Sequence, residues 1–171
     1  MPIFNETNLK HLYMDCLLIG GAKSVGKSET LYRLAEKLTL VGYRQVAGVL
    51  PSTFNDFMVV LEGINKRGIK IRIIISSSSD TVKIIKDFKL FFDVNGQYDV
   101  LISSVRDGDF RPRKEFFSIM NISGSIDFIL EIPLAKVTRR DADFRIALQW
   151  YNDKIDNSID FIIQNSPFSL M

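Results

Sequence analysis

Histidine and cysteine are nearly missing from this chain, which holds one of each, His11 and Cys16. A zinc site built from His and Cys needs more ligands than that, so such chemistry is excluded. One cysteine cannot close a disulfide within the chain. Cys16 also lies in the apolar run Cys16-Leu17-Leu18-Ile19, so it reads as a buried core thiol rather than a nucleophile. An excess of one charge is missing too: 22 Lys and Arg stand against 20 Asp and Glu, a formal +2. That balance carries no footprint of nucleic-acid binding. No apolar run approaches the roughly 20 residues of a membrane helix, so no membrane association is expected. Asn5, Glu6, Lys10 and His11 interrupt the first stretch before it reads as a signal peptide. Tryptophan occurs once against 13 phenylalanines, which points to a Phe-rich interior. The expectation is one cytoplasmic domain over 1–171, long enough to bury a core without staples.

What is present is an alternation of strand and helix patterns. Asp15 to Ile19 is a short apolar run, as for a strand buried on both faces. Leu31, Leu34, Ala35, Leu38 and Val41 then recur at helical spacing until Gly42. A second strand is read at Gln45–Leu50, ended by Pro51. The run 57–76 differs. Ile69, Ile71, Ile73 and Ile75 follow the turn Asn65-Lys66-Arg67-Gly68, which predicts a β-hairpin on the edge of a parallel sheet. Ser79 or Asp80 is placed to cap a helix carrying Val82, Ile85 and Phe88. Further strands are expected at 98–103, 126–132 and 159–163, with helices at 112–120 and 139–156. The fold expected is α/β, three layers, with a mostly parallel five-stranded sheet and an added hairpin.

The densest signal is Gly21-Ala22-Lys23-Ser24-Val25-Gly26-Lys27-Ser28, which meets G-x-x-x-x-G-K-[ST] at every fixed position. The two glycines let the backbone turn its N–H groups inward on an anion. The following helix, with Glu29 in its first turn, offers its N-terminus to the same charge. Lys27 is assigned to the β- and γ-phosphates and Ser28 to magnesium. The strand before the loop and the helix after it supply the confirming context for a P-loop. Lys23 does not directly follow the first glycine, so it lacks the signature of the partitioning ATPases. The guanine signature N-K-x-D fails, because Asn65-Lys66-Arg67 ends in Gly68. ATP is therefore preferred over GTP, with Mg2+. The metal-side carboxylate is assigned to Asp107, ahead of Asp109 and of Glu62.

Two arginine-bearing segments extend the site. Arg106 lies just past the strand 98–103, placed to grip a substrate phosphate. Arg139, Arg140 and Arg145 lie between the fourth strand and the last helix, and 133–145 reads as a lid able to close on a triphosphate. With the Val105-Arg106 step, the arginines 139–145 and the run Asp160-Phe161-Ile162-Ile163-Gln164-Asn165, the chain resembles nucleoside-monophosphate-kinase-like P-loop proteins. Its nearest likeness there is to deoxynucleoside monophosphate kinases and dephospho-coenzyme A kinases. The resemblance spans 15–50 and 98–167 and implies a base pocket bordered by Asn165 and Ser166. It departs across 57–76, where the group carries helical elements that bind its acceptor.

Three functions fit these readings. The first is a phosphotransferase from ATP to a small phosphorylated acceptor, with Arg106 on the acceptor and Asp56 as a candidate base. The second is an ATPase or nucleotide-gated module, docking a protein partner by strand addition at the hairpin 57–76. The third uses the nucleotide as a structural ligand, or has lost it.

Overall fold

The structure is a computed structural model that describes residues 13–138 and 144–171. In chain order the elements are β1 (Asp15–Gly21), α1 (Lys27–Leu40), β2 (Arg44–Gly48), β3 (Met58–Ile64), β4 (Lys70–Ser76), α2 (Val82–Asn95), β5 (Val100–Arg106), α3 (Arg111–Met120), β6 (Phe128–Pro133) and α4 (Phe144–Gln164). Among the described residues the fold is α/β, with four helices around one six-stranded mixed sheet in the order β2-β3-β4-β5-β1-β6.

Alternation along the strands explains how both sheet faces are buried. Leu17 and Ile19 of β1 pack with Ile73, Ile75 and Ile102 against Leu31, Leu34 and Leu38 of α1 and Ile159 and Ile163 of α4. Cys16 and Leu18 point the other way, with Ile74 and Leu101, against Ile85 and Phe88 of α2 and Phe116 of α3. A strand covered on both faces must be apolar at every position, which is why Cys16 to Ile19 shows no polar alternation. No helix of the described residues is long and apolar enough to cross a membrane.

The sheet departs from the expected one in three places. First, the expected last strand, 159–163, is the end of one helix running from Phe144 to Gln164. Ile155, Ile159 and Ile163 recur every four residues toward the core, while Phe161 is 70% exposed. A buried strand would not leave Phe161 in water, and the four-residue period wins over the short apolar run. The parallel part of the sheet is therefore only β4-β5-β1-β6.

Second, the hairpin is not an appendage. β3 pairs with β2 on one side and β4 on the other, and β4 pairs parallel with β5. Both hairpin strands lie inside the sheet, and only their turn-proximal ends, Gly63–Ile64 and Lys70–Arg72, extend past β2 and β5. The sheet ends instead at β2 and β6. Third, the strand read at 45–50 lies in that antiparallel extension, beyond β3. Pairing partners are set across the sheet by long-range packing, and short apolar runs do not encode them.

Candidate functional site

β1, β4, β5 and β6 run parallel, so their carboxyl ends share one edge. The loop 21–28 leaves β1 at that edge and enters α1 directly. Gly26 stands at the start of α1 in the left-handed conformation, φ 97°, and an added Cβ would meet nothing nearer than Glu29 Oε2, in ordinary contact at 3.9 Å. The requirement for glycine at this point is thus conformational. At Gly21 it is also steric: a Cβ would come within 2.9 Å of Val25 Cγ2. Ser24, at φ 61°, is a further left-handed residue in the same loop. Thr30 anchors the turn, its Oγ1 donating to the Gly26 carbonyl at 2.7 Å.

Lys27 is the first residue of α1, and its side chain is only 5% exposed. Its ammonium donates back to the carbonyls of Gly21 and Ala22, at 3.0 and 2.6 Å. Burial depresses the Lys27 pKa, and Arg106 pushes the same way, while Asp80 and Asp107 partly oppose it. Ala22, Val25 and Ser28 are half-buried, and Lys23, Ser24 and Glu29 are exposed. The Ser28 hydroxyl donates to the Ser77 carbonyl at 2.9 Å.

Around Lys27 stand three charged groups. Asp80 Oδ1 lies 3.7 Å from Lys27 Nζ and 3.8 Å from Arg106 Nη1. Asp107 Oδ1 lies 3.9 Å from Arg106 Nε. These spacings attract but are too long for hydrogen bonds. Asp80 Oδ1, Arg106 Nε and Asp107 Oδ1 are buried atoms without a hydrogen-bond partner. Buried polar atoms are nearly always paired in folded proteins, so three orphans at one point mark a place for another group. Their chemistry suits a triphosphate and its divalent cation: a guanidinium for phosphate oxygens, carboxylates for a metal.

The serine run builds the floor of this site. Ser79 is buried and donates to the Ser104 carbonyl at 2.7 Å, tying the segment after β4 to β5. Ser77 is fully buried; it accepts from the Phe57 N–H at 2.8 Å and donates to Asp56 at 3.2 Å. Neither Ser79 nor Asp80 caps α2. Thr81 does, accepting from the Ile84 N–H. Moving the cap by one residue frees Asp80 to face Lys27.

A cavity of ≈ 630 Å³ opens between Gly21, Ala22 and Val25, the loop of Asp107 and Asp109, and Pro133 to Lys136. On its wall Arg113 holds Glu131 by two parallel bonds of 2.8 and 2.6 Å, and donates to the Arg106 carbonyl at 2.9 Å. This pair fixes the end of β5 against β6. It also explains Gly20, where a Cβ would lie 2.1 Å from Glu131 Oε1.

Of the residues singled out from sequence, the loop 21–28, Arg106 and Asp107 meet at one edge, and Asp109 stands beside them. Glu62 is removed: it lies in β3 and pairs with Lys70 and Arg72. Arg145 is exposed in the first turn of α4, whereas Arg139 and Arg140 lie outside the described residues.

Asn165 and Ser166 are misplaced as a base pocket. Helix α4 returns across the sheet and ends beside the hairpin turn, where Ser169 accepts from the Lys66 N–H. Pro167 and Phe168 share a cavity with Asp15, at the start of β1 and the opposite edge from the loop. Asn165 instead donates to the Phe161 carbonyl one helical turn back, at 2.6 Å. Asp80 and Arg113 were missed. The signal for Asp80 was its position after an apolar strand on the active edge; Arg113 had none in sequence.

No family model and no curated protein sequence matches this chain. A solved structure described as "Crystal structure of APE1195" is similar at 12% identity and a TM-score of 0.36, over 89% of this chain and 74% of that one. So distant a likeness carries no statement about this site.

Proposed function

We propose that this chain has a P-loop nucleotide-binding fold, binds ATP with Mg2+ on the loop 21–28, and transfers the γ-phosphoryl group. The observation that carries this reading is the convergence of Lys27, Asp80, Arg106 and Asp107, with three buried polar atoms left unpaired, at the N-terminus of α1. A helix N-terminus and inward N–H groups favour a polyanion there.

The residues divide the work. Lys27 leaves the carbonyls of Gly21 and Ala22 and takes up β- and γ-phosphate oxygens. Ser28 Oγ donates its proton to the Ser77 carbonyl, which leaves its lone pairs to hold Mg2+ together with Asp80 or Asp107. Bound there, Mg2+ would supply charge neutralisation to the triphosphate. Arg106 stabilises charge on the transferring group; its side chain is 14% exposed, and its guanidinium sits 4.9 Å from the Phe110 ring. Phosphoryl transfer needs positioning and electrostatics more than covalent chemistry, and these four side chains offer both.

Hydrolysis of ATP without an organic acceptor is the second reading. It is favoured by the engagement of Arg106 with Asp80 and Phe110, which takes it away from an acceptor phosphate.

Titration calorimetry with ATP, GTP and AMP, each with and without Mg2+, tests the proposal together with an assay for ADP. Magnesium-dependent ATP binding and slow ADP release are expected. Absence of any nucleotide binding refutes the proposal.

A further inference from the structure

The sheet has two ends, and they are built differently. At one end β2 breaks register between Gln45 and Ala47 and carries Gly48 at φ 69° and the exposed Arg44. Bulges and charge are means by which proteins stop an edge strand from pairing further. At the other end β6 pairs with β1 in unbroken register, and its one charge, Glu131, is held by Arg113. Among the described residues nothing pairs with the outer side of β6.

Which groups face outward follows from the ladder. The Leu134 N–H donates to the Gly20 carbonyl on β1 at 2.8 Å. Backbone direction alternates along a strand, so Phe128, Leu130 and Ile132 also address β1, while Ile129, Glu131 and Pro133 address the open side. Pro133 has no N–H, and the Asp127 N–H is taken by the Ser123 carbonyl at 2.7 Å. Ile129 and Glu131 are thus the two residues of this edge that offer both a donor and an acceptor.

A second copy of β6, running antiparallel, satisfies all four groups in one register. Ile129 of each copy faces Glu131 of the other, and the two Leu130 residues meet on the two-fold axis. The exposed Phe128 then packs on Ile132 of the other copy, on the face that carries Leu130. Sliding one copy by two residues, the smallest step that keeps the outward groups facing, sets Glu131 opposite Glu131 or opposite Asp127. Like charges directly opposite destabilise a pair, so charge selects the first register.

We propose that β6 is a self-pairing edge, through which two copies of this chain join into one continuous sheet about a two-fold axis. The copies run antiparallel, so their loops 21–28 open at opposite edges, and the proposal stands apart from the nucleotide reading. A contact about 20 Å long and one strand deep falls below the roughly 1,200 Å² of a standard interface, so the dimer is weak, with Kd on the order of 10 μM.

Analytical ultracentrifugation of the full chain should show monomer at about 2 μM and dimer at about 200 μM. Hydrogen exchange at the Ile129 and Glu131 amides should slow by about fivefold between those concentrations, following the loss of free monomer. Leu130→Cys places one thiol of each copy on the axis, at the Cα separation of about 4.5 Å of a non-hydrogen-bonded pair, and should give a disulfide-linked dimer on mild oxidation. Ile132→Cys, four positions out of step with its own copy, should not; Cys16 is buried and does not compete. A chain that stays monomeric at the higher concentration overturns the proposal. So does a dimer whose Ile129 and Glu131 amides exchange at the monomer rate, because it uses another surface. Amides already protected at the lower concentration overturn it as well, since this chain itself then covers the edge. Cross-linking of Ile132→Cys as fast as that of Leu130→Cys rejects the register and the proposal with it. If the cysteine variants fail to fold, sedimentation and exchange of the unaltered chain decide.

Discussion

Replacing Lys27 by alanine should separate affinity from stability in this protein. The ammonium is buried and bonds two carbonyls of its own loop. Each such charged bond contributes about 1.5–3 kcal/mol, but taking an ammonium out of water costs several kcal/mol, and the depressed pKa of Lys27 records that cost. The two effects largely cancel. Lys27→Ala is expected to change unfolding free energy by no more than about 1.5 kcal/mol, a shift of about 3–6 °C in Tm. Nucleotide binding should behave differently. A cation about 4 Å from phosphate oxygens gains about 4 kcal/mol at an effective dielectric near 20. With about 2–4 kcal/mol surviving desolvation, Kd for ATP should rise by roughly 30- to 1,000-fold.

The pH dependence adds a sign. The Lys27 pKa lies below its ordinary 10.5 in the folded chain, so between the depressed value and 10.5 the unfolded chain holds more protons. Stability therefore gains from Lys27 as pH rises through that window, and the variant lacks this gain. A bound triphosphate raises the same pKa, so ATP affinity falls as pH climbs through the depressed value. Calorimetry and denaturant unfolding at pH 7 to 10 read both. A less than threefold change in Kd for Lys27→Ala, or a Tm loss beyond about 10 °C, would refute this reasoning.

Three other outcomes are expected. Burial pushes the Cys16 thiol up to about 12, so a thiol reagent at pH 8 should label the chain only after denaturation; rapid labelling of the folded chain would contradict the core assignment. Gly20→Ala should destabilise by about 1–3 kcal/mol, because its Cβ displaces Glu131 from Arg113; denaturant midpoints measure this, and an unaltered midpoint counts against the close approach. Asn165→Ala should leave ATP affinity within about twofold while costing up to about 1 kcal/mol at the end of α4. A tenfold loss of affinity would return Asn165 to the nucleotide site.

Sequence and structure agree best where interactions are local. The loop 21–28 was legible because its glycines answer a backbone requirement within eight residues, and its strand and helix flank it directly. The strands read at 15–19 and 98–103 were legible from their apolar stretches, and their adjacency as β1 and β5 puts Arg106 and Asp107 beside Lys27. The end of the chain was misread for the opposite reason. Ile159-Asp160-Phe161-Ile162-Ile163 fits a strand over five residues, and only the wider window shows Ile155, Ile159 and Ile163 on one helical face. A base pocket at Asn165 failed with that strand, because a helix crossing the sheet ends at the far edge.

Asp80 shows where sequence reasoning stops. Its neighbours Ser79 and Thr81 offer equally good caps, and local chemistry cannot choose among the three. Ser79 is drawn to the Ser104 carbonyl and Thr81 to the Ile84 N–H, so Asp80 is left to face Lys27. The amino-acid sequence by itself determined the glycine-rich loop, the buried parallel strands that frame it and the inert placement of Cys16, because each follows from backbone sterics or burial over a few residues. Tertiary structure alone decided that Asp80 joins the site, that Arg113 and Glu131 brace it, that Glu62 and Asn165 lie away from it, and that the hairpin is built into the sheet. Those facts depend on which strands pair and how far a helix travels, and long-range packing sets both.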